Sequence, residues 1–303
     1  MSSSFTSIEP GRILQQILPP NGAPEERADV HALTGEHEAE VFAFLAVRPI
    51  HTVFMAGMIR DNGLVSPLNR GSFYAYRDAA GQLEGVALIG HATLIEAHSD
   101  AALDALALVA RNHLNIHLLR GEPPPMERVM NCFAQIGRAP RRICRELLLE
   151  QLSPVSGVQP VAGLRLATVA DLEPIIEVVA AMVCAENGVN PLERDPAGFR
   201  QRALRRIALG REWVLTNNGR LIFKADVISD TPEVVFLEGV YVHPEERGKG
   251  YAWRCLSQLA SILLSRTVSL CLFVNEENTK AQALYRKVGY EVRSSYQTIY
   301  LPK

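Results

Sequence analysis

The sequence predicts an α/β (α+β) protein of two related domains in tandem, and three observations carry that expectation. The chain has 303 residues, enough for two hydrophobic cores instead of one. Between Ser153 and Pro160 it is dense in turn-forming residues and shows no apolar period, as a linker would. On both sides of that run the same order recurs, helix–hairpin–helix–strand–helix–strand, although the residues barely match. The expected division is residues 1–152 and 163–303, with a linker over 153–162.

Taken in order, residues 1 to about 30 read as irregular, with Pro19-Pro20-Asn21-Gly22 among them. A helical pattern runs from Glu38 to Arg60 and is interrupted at Pro49. Ser72–Arg77 and Leu83–Gly90 read as paired strands around an Asp78–Gly81 turn. Ala101–His113 is helical, Asn115–Leu119 a strand, Pro125–Ile136 a helix and Arg142–Gln151 a strand. In the second half a strand at Gly163–Ala167 leads to a helix from Thr168, with Asp171 placed to cap it. A helix at Pro196–Leu209 follows the Glu186–Pro191 loop, and Asn218-Gly219 joins strands Trp213–Thr216 and Leu221–Val227. Two strand–helix units and a last strand at Ser294–Tyr300 complete the half.

The most informative of these units runs through Val234–Val242, almost wholly apolar, into Arg247-Gly248-Lys249-Gly250-Tyr251-Ala252 and then a helix. Helix N-termini expose unpaired N–H groups on the positive end of the helix dipole, so such a junction binds anions, phosphate above all. Gly248 and Gly250 let the backbone take positive φ and approach a ligand with no Cβ in the way. A Walker-type loop is absent, and a dinucleotide fingerprint would need glycine where Trp253 stands. The next unit pairs a Val268–Val274 strand with a helix capped by Asn278. Its apolar face is Ala281, Leu284, Tyr285 and Val288, and Gly289 is placed to end it.

The pattern R-x-x-G-x-G/A, met by Arg247, Gly250 and Ala252, resembles the pyrophosphate-binding turn of the GNAT superfamily of acyl-CoA-dependent N-acyltransferases. Asn278 to Tyr290 is similar to the second signature of that superfamily, N-x-x-A-x-x-L-Y-x-x-x-G-[FY], at every fixed position. The resemblance covers residues 163–303. It implies a mixed, mainly antiparallel sheet flanked by helices, and acetyl-CoA as co-substrate. The residues it assigns to CoA are Val240, Tyr241, Val242, Arg247, Gly248, Lys249, Gly250, Tyr251, Ala252, Asn275, Asn278 and Tyr285. The first half is similar, in architecture only, to a degenerate GNAT-like domain fused ahead of a competent one. Its matching junction, Gly90 to Ser99, has no glycine turn, so one cofactor site per chain is expected.

Composition narrows the setting. A net charge of −2 offers no field to draw nucleic acid or an anionic membrane. Five scattered cysteines suggest reduced thiols in the cytoplasm, and no His/Cys cluster suggests a metal. The N-terminus lacks the basic start and apolar core of a signal peptide, and no stretch is apolar enough to span a bilayer.

Acyl transfer to an amine needs a held CoA, a polarised carbonyl, a neutral amine and a proton for the departing thiolate. Gly239, in an otherwise bulky strand, marks either a bulge or room for a neighbouring aromatic. In the family this strand splays from the next, and a backbone N–H polarises the thioester; by position that donor is Val240 or Val242. Tyr285 is the general-acid candidate, since a phenol near ~10 stays protonated and can serve a thiolate whose acid is near ~8.5. It reads equally as a core aromatic. An amine near ~10.4 needs a base, and Glu238, a carboxylate set in an apolar strand, is either that base or half of an ion pair. Glu186 or a water relay is the reserve. The basic helix Phe199–Arg206 reads as a solvated face, the commoner outcome, or as one that faces an acidic substrate or the CoA 3′-phosphate. No cysteine sits where a covalent intermediate would form, so direct transfer is expected, to a small-molecule or protein amine. The reading from another class is a non-catalytic acyl-CoA-binding sensor or partner-binding protein.

Overall fold

The structure is a computed structural model, and it describes residues 29–302. The irregular segment expected over residues 1 to about 30 lies almost wholly outside the described residues.

The first half runs β1 (Asp29–Ala32), α1 (Glu38–Leu45), α2 (Pro49–Asn62), β2 (Gly71–Arg77), β3 (Leu83–Gly90), β4 (Ala92–Ala97), α3 (Asp100–Arg111), β5 (Leu118–Gly121), α4 (Pro123–Ala134) and β6 (Arg142–Gln151). Pro49 starts α2 at a position where a missing N–H costs nothing, so the expected interruption is a helix start. Prolines do the same for α4, which begins two residues earlier than its apolar pattern indicates. The strand expected at Asn115–Leu119 is displaced to Leu118–Gly121, because Asn115 lies in a turn and Ile116 is buried without a sheet partner. β4 is an element the sequence reading did not resolve.

The second half runs β7 (Arg165–Leu166), α5 (Leu172–Asn187), α6 (Pro191–Arg194), α7 (Pro196–Ala208), β8 (Glu212–Asn217), β9 (Arg220–Asp230), β10 (Val234–Val242), α8 (Tyr251–Leu264), β11 (Ser269–Asn275), α9 (Thr279–Val288) and β12 (Glu291–Tyr300). The Asn218-Gly219 hairpin forms with both residues at positive φ, 50° and 76°, as a two-residue turn of matching twist demands. Asn278 caps α9 by accepting from Ala281 N at 3.1 Å, and Gly289 ends it at φ 102°.

All twelve described strands form one sheet, in the order β1-β2-β3-β4-β5-β12-β6-β11-β10-β9-β8-β7. Only β4·β5 and β10·β11 are parallel. The fold is thus the mixed, mainly antiparallel sheet that the sequence predicts, in two related halves. The halves, however, exchange strands. β6 of the first half pairs with β11 over Gln151 to Glu146, and β12 of the second half pairs with β5 over Gln297 to Tyr300. The two exchanged strands lie side by side, antiparallel.

A core shared by both halves seals the junction. Val53, Leu148, Val234, Phe236, Cys271 and Tyr296 are buried together, with Phe54 and Phe273 against them. Helix α2 lies directly on β9: a Cβ on Gly57 would come within 2.6 Å of the Ser229 side chain. Arg211 grips Asp61, and Arg205 donates to Asn62 at 2.6 Å, tying the end of α7 to the end of α2.

Cutting the chain after Ser153 removes the β6 ladder from β11 and both neighbours from β12. The isolated fragment 154–303 is expected to show no cooperative transition in a denaturant titration followed by circular dichroism. A sigmoidal unfolding curve for that fragment would overturn this.

Candidate active site

The site begins where β10 and β11 part. They pair from Val234/Ser269 to Phe236/Cys271 and no further. Beyond that point β10 bulges, with Gly239 at φ 61° and a register shift against β9 between Glu238 and Tyr241. The bulge reading of Gly239 therefore holds, and its close neighbours are charged groups rather than an aromatic. A Cβ there would lie 2.6 Å from an Asp226 carboxylate oxygen and 3.1 Å from Lys224 Nζ. Lys224 is fully buried; its ammonium donates to Asp226 at 2.5 Å and to the Gly239 carbonyl at 3.2 Å, and lies 3.2 Å from Glu212. Burial pushes the Glu212 carboxyl well above its ordinary value, with Asp226 beside it acting in the same direction.

Past the bulge, His243 N–H donates to Ile222 of β9 at 2.9 Å. Strand alternation then turns the Val242 N–H to the opposite edge, the open one facing the splay.

The splay opens into a cavity of about 990 Å³. It brings Glu238, Val240, Asn275, Asn278, Tyr285 and Glu186 onto one surface. Glu238 departs from the sequence reading: its side chain is exposed to this cavity instead of being buried in the strand. Protein surrounds it nonetheless, and that desolvation raises its pKa above the usual 4.5. The charges of Asp226 and Glu186 add to the rise, while Arg120 and Arg206 oppose it. Among the described residues Glu238 has no hydrogen bond or salt bridge, so the ion-pair alternative is not formed. Tyr285 is 8% exposed, 5.8 Å centroid to centroid from Tyr290, and burial pushes its phenol up to about 12. It is at once a core aromatic and a cavity residue, and its hydroxyl has no hydrogen-bond partner among the described residues. Glu186 sits at the mouth near the end of α5, its carboxyl raised by partial desolvation and by Glu146. Asn275 Oδ1 is engaged by Glu277 N at 2.7 Å.

Tyr241, Val242 and the turn Arg247–Ala252 do not line the cavity; they continue from the open end of β10. Gly248 and Gly250 take φ 78° and 82°, and a Cβ on Gly248 would meet nothing within 4 Å. Gly250 heads α8 with no side-chain cap, which leaves the first N–H groups of that helix unpaired. One part of the expected cradle is missing: Arg247 N–H is spent on Pro244 O at 3.3 Å, and Arg247 Nε braces the strand end by donating to Val242 O at 3.1 Å. Lys249 pairs with Glu246 at 3.0 Å.

The opposite wall comes from the first half, which sequence reasoning missed. Arg120 of β5 and Arg142, Cys144 and Glu146 of β6 all line the cavity. No local signal marks them, because the strand exchange puts them there. Lys224 and Asp226 did leave a signal, two charges at i, i+2 on one face of an apolar strand. The basic helix α7 also turns Arg202 and Arg206 toward the cavity, where Asp195 and Glu212 hold them at 3.2 Å and 3.3 Å.

The first half keeps a reduced copy of this cleft. β4 and β5 pair in parallel as far as Leu94/Arg120, and Glu96 stands two residues beyond, as Glu238 stands two beyond Phe236. There Arg48 occupies the space, 3.1 Å from Glu96 and 2.5 Å from Glu122, and the cavity left is about 170 Å³. The following helix, α3, is capped by Ser99, which accepts from Ala102 N at 3.3 Å.

The model of the Acetyltransferase (GNAT) family matches residues 190–290, within the second half of this chain. Solved structures agree on the fold. A Drosophila protein superposes with a TM-score of 0.65 at 12% identity, over 91% of this chain and 99% of its own. A GNAT-family acetyltransferase from Colwellia psychrerythraea gives 0.56 at 12% identity, over 90% and 100%. A tandem GNAT protein from the clavulanic acid biosynthesis pathway gives 0.55 at 16% identity, over 91% and 100%. No curated protein matches the chain. Family and fold support an acyltransferase. Among the described residues no group of His, Cys, Asp and Glu is placed to hold a metal ion, and no helix is long and apolar enough to cross a membrane.

Replacing Lys224 by Met leaves Asp226 buried without its cation and Glu212 with Arg206 alone. The variant is expected to lose about 3–5 kcal/mol of stability in urea at neutral pH. The deficit should shrink as pH falls and Glu212, whose carboxyl burial raises, protonates.

Proposed function

We propose that the protein is an acyl-CoA-dependent N-acyltransferase of the cytoplasm that moves an acetyl group from acetyl-CoA directly to an amine. One observation carries the reading: Glu238 and Tyr285, both without polar partners, face one cavity at a strand splay that leads to an uncapped glycine turn.

The residues present fit CoA. The open space over Gly248 and the free N–H groups at the start of α8 suit a pyrophosphate, and the unpaired β10 edge around Val240, Tyr241 and Val242 suits the peptide-like pantetheine arm. Asn275 and Asn278 border that arm's path, while Arg247 and Lys249 flank the turn. When bound, CoA supplies the activated acyl thioester. Val242 N–H is turned to the edge where it can polarise the carbonyl. Glu238, directly or through water, takes the proton of the ammonium or attacking amine; Glu186 is the reserve. Tyr285 gives its proton to the departing thiolate, and burial that holds its phenol near about 12 keeps that proton in place at neutral pH. Direct transfer is favoured because Cys255 and Cys271 are buried thiols whose pKa burial raises, Cys255 to about 12. Cys144 lines the cavity but has no base hydrogen-bonded to it among the described residues.

Calorimetry with acetyl-CoA should show one site per chain, and absence of binding would sink the proposal. With a suitable amine, Glu238→Gln and Tyr285→Phe are each expected to lower kcat by about 100-fold or more, with acetyl-CoA affinity kept within a few-fold. A sensor would bind acetyl-CoA yet show no turnover to lose.

The acid limb follows from Glu238. A base must be ionised, so kcat/KM should climb as pH rises through a value above 4.5. That limb should vanish from the Glu238→Gln pH profile; a limb that persists assigns the base elsewhere.

A further inference from the structure

We infer that the acceptor carries a carboxylate close to its amine, as a free amino acid does, and that Arg120 of the first half receives that carboxylate. The inference rests on the acyltransferase reading above and adds the acceptor's chemical class.

Arg120 is held rigidly. Its Nε donates to Thr298 Oγ1 at 2.8 Å, and Thr298 in turn donates to Glu146 at 2.5 Å. The guanidinium lies over the rings of Phe273 and Phe54, at 5.0 Å and 5.5 Å from their centroids, and the side chain is 20% exposed. Those contacts engage Nε and the flat faces. The terminal nitrogens Nη1 and Nη2 have no hydrogen bond among the described residues, and Arg120 lines the cavity. A pre-oriented guanidinium with a free two-pronged edge matches a carboxylate bidentately. The nearest acid, Glu146, is 3.7 Å from Nε, too long for a hydrogen bond, and its bond from Thr298 holds it at the other side of the fork.

The charges around the cavity separate into engaged and free. Arg202 is held by Asp195, Arg206 by Glu212, and Lys224 by Asp226 and Glu212. Arg142 donates to the Glu186 carbonyl at 2.5 Å and stacks on Tyr300, with no salt bridge. Among the lining residues, the carboxyls of Glu238, Glu186 and Glu277 have no salt bridge, and Arg120, whose one acidic neighbour Glu146 lies by Nε, keeps its Nη1 and Nη2 edge free. A diamine would use the acids and leave the free edge of Arg120 unmatched. An acceptor with no charge beyond its amine would leave the Nη1 and Nη2 edge of Arg120 without a partner. An amino-carboxylate satisfies both signs, its nitrogen toward Glu238 and its carboxylate toward Arg120. Arg120 and Glu238 line the same cavity.

The test compares free amino acids with their carboxamides and their decarboxylated amines as acceptors, at saturating acetyl-CoA, on the full chain. Each acid is expected to exceed its amide in kcat/KM by about 10- to 100-fold, the worth of a charge-assisted hydrogen-bonded pair. Arg120→Lys keeps the positive charge and the alkyl stem but loses the fork. It should raise KM for the acid more than it lowers kcat and shrink the acid-to-amide ratio several-fold; Arg120→Gln should remove that ratio. Calorimetric titration of the acid into the CoA complex should lose affinity in the same order, which gives a readout independent of turnover. Amides or diamines used as well as the acids would overturn the carboxylate assignment while leaving the acyltransferase reading intact. An acid preference that survives both Arg120 variants would remove Arg120 from it. Failure of acetyl-CoA to bind, or of any amine to be acetylated, would bring down both readings.

Discussion

The site depends on an ammonium ion with no solvent around it. Lys224 reaches from β9 beneath β10, and its partners are the carboxylates of Asp226 and Glu212 and the carbonyl of Gly239. A buried cation of this kind is tolerated only when every donor has an acceptor. The carbonyl that completes its set is the one an ordinary ladder would have used elsewhere. The bulge is therefore part of the charge cluster's own satisfaction, and Gly239 is the residue that leaves room for it. With the bulge fixed, β10 turns from β11 after Phe236, and the cavity, the open N–H edge and the approach to the glycine turn all follow from that divergence.

Strand exchange decides who owns the cavity. Its β10 wall, α9 and the glycine turn belong to the second half, but the opposing wall of β5 and β6 belongs to the first. The first half also retains the outline of a cleft of its own, closed from within by Arg48, which neutralises Glu96 and Glu122 together. The contrast between Glu96 and Glu238 is one of company: equivalent offsets on equivalent strands, one carboxylate held in an ion pair and the other left to face a cavity.

What the sequence revealed was local chemistry. Gly248, Gly250, Asn278 and Gly289 each answer to their immediate neighbours, so their turn and cap roles could be read directly, and β10 has the bounds its apolar run predicts. What it concealed was long-range. Glu238 sits in an apolar run and reads as buried, yet the space beside it exists only because two strands part and the neighbouring walls stand back. Arg120 carries no motif, and its role comes from lying across a cavity from residues more than a hundred positions away. β4 escaped notice because its six residues run on from β3 with only His91 between them.

Exchange also has a consequence for synthesis. A ribosome completes β1 through β6 first, yet β5 and β6 each lack a sheet partner until the second half has followed. β12, which lies between them, emerges only after the other described strands and helices of the second half. The first half thus leaves the exit tunnel with unsatisfied strand edges and waits for the second half to be made before they close. Nascent chains of this protein are exposed to edge-to-edge association for that interval, and a stop ahead of β12 harms the half made first as much as the half made last.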